Sequence, residues 1–310
     1  MTISAIERKI RVQLSVARFL QAYLPLAVER WLLKQGMARV RVDADVTREA
    51  VSADGVRCEW IIPQNNRIDQ VLIYLHGGGF VLGLTPPHLQ MAAYLAHKMG
   101  LRVLMVDYRL APDHPFPAAL DDCATAYRWL LKQGISARNI GVAGDSAGGN
   151  LAVTLLMKLR DSGDPLPAAA ACLSPVADLT HKDNLHQGFK DPLLPLKAVR
   201  FYNKSFVGQN DPHDPLISPV FGDWHSLPPV LVHAGEDEIL REDAVRISSL
   251  AKAAGVDVRL EVYPRMWHVW QLYLALPQAV RSLDGIAQFL GSHIGLDSPQ
   301  LAPGSIVPIS

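Results

Sequence analysis

The sequence predicts an α/β protein in which a mainly parallel sheet is covered by helices on both faces. Predicted strands alternate with predicted helices over most of the chain, an order typical of parallel sheets. Several of these strands are apolar throughout, as expected of strands that are buried on both faces. The 310 residues are enough for one large α/β domain or two small ones, and because 49% of them are hydrophobic, a substantial core is available.

The first predicted element is an amphipathic helix over residues 3–35, broken near Pro25. Apolar residues recur at helical spacing from Ile6 to Leu24, with basic residues between them. This pattern fits an ordinary core-facing helix and a helical cap over a binding site equally well.

Eight strands are predicted after this helix. Val40 and Val42, followed by residues 56–62, predict two strands that form a hairpin around Asp54-Gly55. The other strands are predicted at residues 71–75, 101–107, 140–143, 168–173, 230–234 and 258–263. Helices are predicted at residues 88–99, 117–132, 151–159, 240–253 and 269–290. The irregular, proline-bearing stretch 180–224 does not fit the alternation, and we interpret it as an excursion beside a site rather than a second domain.

Charge and cysteine content exclude several classes of protein. Lys+Arg and Asp+Glu are both 30, and this balance argues against a nucleic-acid partner, which would normally require a basic excess. The three cysteines are too few and too scattered for a disulfide framework or a zinc site, so we expect buried thiols in a reducing compartment. Charges interrupt the N-terminal apolar residues, so neither a signal peptide nor membrane insertion is expected, and a cytoplasmic location is predicted.

The segment from Gly144 to Gly148 places a serine between a predicted strand and a predicted helix. A serine on such a tight turn lies in strained backbone geometry, and its neighbours two positions away must lack side chains. Gly144 and Gly148 meet this requirement around Ser146. The G-x-S-x-G pattern is the signature of an exposed nucleophile, but it arises by chance in about one chain in ten of this length.

A second glycine-rich turn, His76-Gly77-Gly78-Gly79-Phe80, directly follows the apolar strand predicted at 71–75. Three consecutive glycines allow backbone N–H groups to approach a ligand without an obstructing Cβ. An H-G-G-G element can supply the N–H donors of an oxyanion hole. Both turns would lie at the carboxyl edge of the sheet, where ligands bind in open α/β folds.

A nucleophilic serine of this kind is followed along the chain by an acid and then by a histidine. His268 is the histidine that comes just after the last predicted strand, whereas the other histidines are interpreted as packed or surface residues, and His76 as orienting the glycine loop. The acid stays open, because Glu236, Asp237 and Glu238 all follow the strand 230–234. One of them should reach Nδ1 of His268.

The chain resembles the bacterial hormone-sensitive-lipase-like esterases, often called family IV, from about residue 70 to about 290. The resemblance is carried by His76–Phe80, Tyr108–Pro112, Phe116–Ala119 and Gly144–Asn150. It implies an α/β-hydrolase fold with an N-terminal helical cap. We place the cap at residues 1–40 and the catalytic domain, with the 180–224 excursion, at 41–296, and the proline, serine and glycine content of residues 297–310 predicts a frayed tail. The resemblance also implies hydrolysis of short- to medium-chain carboxylic esters without a metal or cofactor.

The resemblance also assigns the remaining site residues. Family members carry Asp-Pro-Leu-Arg-Asp-Glu around the acid, and matching Leu240-Arg241 makes the acid Glu238, with Asp237 as the runner-up. It carries the oxyanion donors onto Gly78, Gly79 and Ala147, with Gly77 as a further candidate, and it gives Asp145 no catalytic role. In the cap alternative for the N-terminal helix, Phe19, Tyr23, Leu24 and Trp31 would face an acyl chain.

Two alternative functions stay open on the sequence. The same triad could hydrolyse amides, carbamates or lactones, because specificity resides in the pocket. A non-catalytic receptor on this fold is disfavoured, since such receptors typically lack the histidine that this chain has at position 268. A homodimer through an edge strand is an expectation from the resemblance only. A neutral histidine base predicts an acid limb in the pH profile near pH 6.5.

Overall fold

The computed structural model describes residues 4–39, 45–180 and 191–295. Eight strands of these residues form a single sheet in the order β1-β2-β4-β3-β5-β6-β7-β8. The strands are β1 Val46–Ala53, β2 Val56–Pro63, β3 Arg67–Leu75, β4 Leu101–Val106, β5 Ile140–Asp145, β6 Ala169–Leu173, β7 Val230–Gly235 and β8 Val258–Tyr263. The pairs that involve β1 and β2 are antiparallel, and the others are parallel. The predicted eight-stranded, mainly parallel sheet is therefore confirmed.

The hairpin turns at Asp54-Gly55, as predicted, but its first strand is Val46–Ala53. Asp54 and Gly55 both have positive φ, and Ala53 pairs with Val56, which makes this a two-residue turn. The predicted strand at Val40 and Val42 falls within residues 40–44, outside the described residues. β1 is an edge strand with mostly exposed side chains, so its sequence lacks the apolar alternation of a half-buried strand.

Helices cover both faces of the sheet. They are α1 Ala5–Tyr23, α2 Leu26–Arg39, α3 Pro86–Met99, α4 Ala118–Lys132, α5 Ala147–Asp161, α6 Leu196–Val207, α7 Arg241–Ala253 and α8 Pro277–His293. The side chains of β3 alternate: Val71, Ile73 and Leu75 pack with α4, α5 and α7, whereas Leu72 and Tyr74 pack with α3 and α8. Burial on both faces explains why the central strands are apolar throughout.

The helix predicted over 269–290 was wrong at its start. α8 begins at Pro277, and the preceding residues contain only a short 3₁₀ turn, Trp270–Leu272. Leu276 is extended, with φ −90° and ψ 126°, as is usual for a residue that precedes a proline, so no helix runs through it into Pro277. The aromatic residues here continued the helical spacing, but Trp267 and Trp270 instead pack against Ile10 and Leu14 of α1.

The stretch 180–224 is less irregular than predicted, because α6 occupies residues 196–207 within it. The helical N-terminus is broken at Pro25, between α1 and α2, as expected. None of the helices in the described ranges is long and apolar enough to cross a membrane.

Candidate active site

The serine predicted as nucleophile lies on a tight turn between β5 and α5. Ser146 has φ 54° and ψ −116°, a strained conformation for a residue other than glycine. A Cβ added at Gly148 would come within 1.9 Å of the Leu75 carbonyl oxygen, so only glycine fits there. The amide of Ser146 donates a hydrogen bond to the Leu173 carbonyl, which ties the turn to β6. The turn therefore combines a strained serine with a glycine that close backbone contact requires.

His268 lies beside this serine. Its Nε2 is 2.9 Å from Ser146 Oγ, so the hydroxyl can donate a hydrogen bond to a neutral imidazole. The ring is almost fully buried in the loop that follows β8. Sequence order alone pointed to this histidine, and the fold brings it to Ser146 across 122 residues of chain.

Glu238 lies on the other side of the imidazole. Its Oε2 is 4.0 Å from His268 Nδ1, which is within ion-pair distance but longer than a hydrogen bond. The other two candidate acids bind elsewhere: Glu236 accepts a hydrogen bond from the Arg265 amide, and Asp237 pairs with Arg11. The structure thus brings Glu238, rather than its neighbours, to His268.

Ser174 connects the acid loop with the histidine loop, a role that sequence reasoning missed. Its hydroxyl donates to Glu238 Oε2 at 2.6 Å and accepts the amide of Val269 at 3.1 Å. Ser174 directly follows β6 at the carboxyl edge of the sheet, and this position was the one available signal. We infer that it holds the Glu238 carboxylate close to His268.

Burial shifts the pKa values of both groups. Burial raises the pKa of Glu238 well above its ordinary value, and the nearby Asp191 and Asp243 carboxylates act in the same direction, while the Ser174 hydrogen bond opposes them. Burial lowers the pKa of His268, against the opposing influence of Asp191 and Asp145. Burial thus favours the neutral imidazole, which is the form in which a histidine can accept a proton.

The glycine loop follows β3, and contacts of the His76 side chain stabilise it. The His76 ring stacks on Tyr108 at 4.2 Å, and its Nδ1 donates to the Gly77 carbonyl at 2.7 Å. Burial lowers the pKa of His76 to about 4, so this ring is neutral. These contacts agree with the predicted orienting role of His76.

Asp145 fastens the same loop from the serine turn, a role that sequence reasoning missed. Its Oδ1 accepts the Tyr74 hydroxyl at 2.6 Å and the Gly77 amide at 2.9 Å, and its Oδ2 lies 3.2 Å from His88 Nε2. Burial would raise the pKa of Asp145, but His88 and these hydrogen bonds together hold it below its usual value. Because Asp145 occupies the Gly77 N–H, Gly77 is a poor candidate for an oxyanion donor in this structure.

Three amides at the serine have the properties expected of oxyanion donors. In the part of the chain that the structure describes, no protein acceptor is found for the N–H groups of Gly78, Gly79 and Ala147. Gly78 and Gly79 line the same cavity as Ser146 and His268, and Ala147 is the first residue of α5. At Gly79, with φ +60°, a Cβ would come within 2.4 Å of the Tyr202 ring, so this close packing also requires glycine.

A cavity of about 350 Å³ opens beside Ser146. Its wall is mainly apolar and includes Leu33 of α2, Val199, Tyr202 and Asn203 of α6, and the aliphatic residues Leu82, Leu193, Leu194, Leu240 and Leu272. Within the described residues, no group of three or more His, Cys, Asp or Glu side chains is arranged to hold a metal ion.

The aromatic residues predicted to face an acyl chain do not line this cavity. Phe19, Tyr23 and Trp31 are 65%, 72% and 60% exposed, and Leu24 is only partly buried. α1 turns its other face inward, with Ile10 and Leu14 against the Trp267 cluster, and α2 contributes Leu33 to the cavity instead.

Helix α1 also forms ion pairs with the two loops that carry Glu238 and His268. Arg11 pairs with Asp237 at 3.0 Å and with Glu7 at 3.2 Å, and Glu7 pairs with Arg265 at 2.6 Å. The Arg11 guanidinium lies over the Trp267 ring, 5.0 Å from its centre. Asp237 thus takes part in the docking of the N-terminal helix.

Comparison with known proteins agrees with this geometry. Residues 72–272 match the family model for the α/β-hydrolase fold. The chain is 39% identical to an acetyl-hydrolase of Streptomyces hygroscopicus over 250 residues, which cover 80% of this chain and 83% of the relative. It is 38% identical to an esterase of Acinetobacter venetianus, over 77% of this chain and 80% of the relative.

A solved esterase from the bacterial hormone-sensitive lipase family superimposes with a TM-score of 0.84 at 38% identity, over 95% of this chain and all of the other. The chain belongs to this family of α/β-hydrolases. As a hormone-sensitive-lipase-like protein, it is a carboxylic ester hydrolase. The fold and family expected from the motifs are thereby confirmed.

Proposed function

We propose that this hydrolase is a serine carboxylesterase that cleaves short- to medium-chain carboxylic esters through an acyl-enzyme on Ser146. The observation that carries the proposal is the 2.9 Å contact between His268 Nε2 and Ser146 Oγ at the wall of an apolar cavity. A serine paired with a neutral, buried imidazole is an activated nucleophile.

In the first half of the reaction, Ser146 Oγ attacks the ester carbonyl while His268 takes its proton. The resulting imidazolium lies 4.0 Å from the Glu238 carboxylate, whose negative charge stabilises it. His268 then returns the proton to the leaving alcohol. Water repeats the sequence on the acyl-enzyme, releasing the acid and regenerating Ser146.

The negative charge that develops on the carbonyl oxygen is stabilised by the amides of Gly78, Gly79 and Ala147. Each such donor contributes about 3 kcal/mol to the transition state in comparable sites. Asp145 and His76 hold the backbone of the glycine loop, so the donors need no reorganisation when the charge appears.

The pH dependence of hydrolysis tests the role of His268. Because burial lowers the pKa of His268, its imidazole should stay neutral at pH values below the ordinary pKa of histidine. The acid limb of kcat/KM should therefore have its midpoint below about pH 6.5. The profile is measured with p-nitrophenyl acetate. A midpoint at or above pH 6.5 would contradict the buried environment of His268. A profile that stays flat down to about pH 4 would contradict its role as the general base.

Chain-length preference tests the substrate class. The cavity volume lies near the low end of the range of about 300–1,000 Å³ that is typical of small-molecule sites, which favours short acyl chains. Among p-nitrophenyl esters from acetate to palmitate, kcat/KM should be highest for short or medium chains. A maximum at palmitate would overturn the proposed class, and a preference for anilides over esters of the same acid would indicate an amidase.

A further inference from the structure

The outer surface of the helical cap is apolar where a solvent-facing helix should be polar. Val12, Val16, Phe19 and Tyr23 follow each other at intervals of four, three and four residues, which places them on one face of α1. All four are exposed, and this face is opposite the buried Ile10 and Leu14. A helix with apolar residues on two opposite faces indicates a partner for the second face.

The apolar surface continues onto the helices that border the catalytic cavity. Trp31 and Leu32 of α2 are exposed, as is Phe201 of α6. The Phe19 and Tyr23 rings lie 5.0 Å apart, and Lys197 of α6 is 5.7 Å from the Tyr23 ring, so the surfaces of α1 and α6 are adjacent. We call the exposed residues of α1, α2 and α6 the outer cap face.

The charges on the outer cap face are basic. The acidic residues of these three helices, Glu7 and Glu29, are both buried. Exposed basic side chains include Arg8, Lys9, Lys34, Lys197, Arg200 and Lys204. Because the whole chain has a formal net charge of zero, this local excess is a property of the cap rather than of the protein.

We propose that the outer cap face docks on the surface of a bilayer that contains anionic phospholipids. Exposed aliphatic and aromatic side chains would enter the boundary between headgroups and acyl chains, and the basic residues would pair with anionic headgroups. A second copy of the chain would also cover the apolar residues, but two identical basic faces would repel each other.

Such docking would lie next to the catalytic cavity. α2 and α6 line that cavity with Leu33, Val199 and Tyr202 and carry Trp31 and Phe201 on the outer cap face. Ester hydrolysis would thereby be localised at a lipid surface. Binding is measured without ester substrate, so its outcome is independent of the proposed hydrolytic mechanism.

Vesicle flotation tests the proposal. The full chain should float with phosphatidylcholine vesicles in which about a third of the lipid is phosphatidylglycerol, and not with pure phosphatidylcholine. Phe19→Ser combined with Tyr23→Ser should lower the partition coefficient about tenfold or more. Lys9→Glu combined with Lys197→Glu should also lower it, and added salt should weaken binding of the wild type.

Ile68→Ser is the matched control, because Ile68 is an exposed apolar residue on β3, outside the cap. It should bind vesicles like the wild type, and all variants should hydrolyse dissolved p-nitrophenyl acetate at the wild-type rate if they are folded. The proposal fails if the wild type does not float, or if the Phe19/Tyr23 variant floats as well as Ile68→Ser. A different result would assign the outer cap face to a second copy of the chain: light scattering detects a dimer of the wild type, the Phe19/Tyr23 variant is monomeric, and neither protein binds vesicles.

Discussion

Ser146→Ala should lower kcat for p-nitrophenyl butyrate by about a million-fold, the loss seen when a triad nucleophile is removed. The substitution removes only the serine hydroxyl, so the glycine loop and the apolar cavity should be retained. Substrate binding should therefore survive while the covalent step is lost. Steady-state kinetics measures kcat. Equilibrium binding of the ester to the variant, which should hydrolyse it very slowly, measures whether substrate binding survives.

Ser162→Ala is the control for this experiment, because Ser162 is an exposed serine at the opposite end of α5. Its activity should be within about twofold of the wild type, since exposed positions away from the site change little. A Ser146→Ala enzyme that retains more than a hundredth of wild-type kcat would show that another group is the nucleophile.

Glu238→Gln should lower kcat by about ten-thousand-fold, whereas Asp237→Asn should change it by no more than about threefold. Glutamine preserves the shape and can still accept the Ser174 hydrogen bond, but it has no charge to stabilise an imidazolium at 4.0 Å. Asp237 pairs with Arg11 at a partly exposed position, so its loss affects the docking of α1 rather than the proton transfer.

Thermal unfolding separates this effect from misfolding. Because burial raises the pKa of Glu238, a neutral glutamine should not lower Tm, so a large loss of kcat at unchanged Tm assigns the effect to the reaction. If Asp237→Asn instead loses more kcat than Glu238→Gln, the acid is Asp237 and the imidazole must reorient during turnover.

The local motifs predicted the residues whose geometry is set by neighbours in sequence. The turn around Ser146 needs a glycine at 144 because a Cβ there would come within 2.3 Å of the Gly148 carbonyl oxygen, and this local requirement is visible in a five-residue pattern. The acid could not be chosen in this way, because three consecutive candidates follow β7. On the sequence, only the match to the family motif at Leu240-Arg241 favoured Glu238, and the structure then showed that the other two candidates bind different partners.

Residues whose long-range contacts belong to no recognisable motif or chain order could not be predicted. Ser174 joins Glu238 and Val269 across 64 and 95 residues, and Asp145 reaches Gly77 across 68. The orientation of α1 was equally hidden: its apolar residues lie on two opposite faces, so periodicity could not tell whether Ile10 or Phe19 points inward. The structure places Ile10 inside and leaves Phe19 exposed and away from the cavity, so of the two alternatives the one in which Phe19 faces an acyl chain was wrong.

The site of acylation tests the central claim most directly. The enzyme is mixed with p-nitrophenyl butyrate, quenched in acid during turnover, digested and examined by mass spectrometry. A butyryl group on the peptide that contains Ser146, absent from the Ser146→Ala control, is the result that the proposed mechanism predicts. Rapid turnover with no acylated peptide, or with the butyryl group on a different residue, would contradict it.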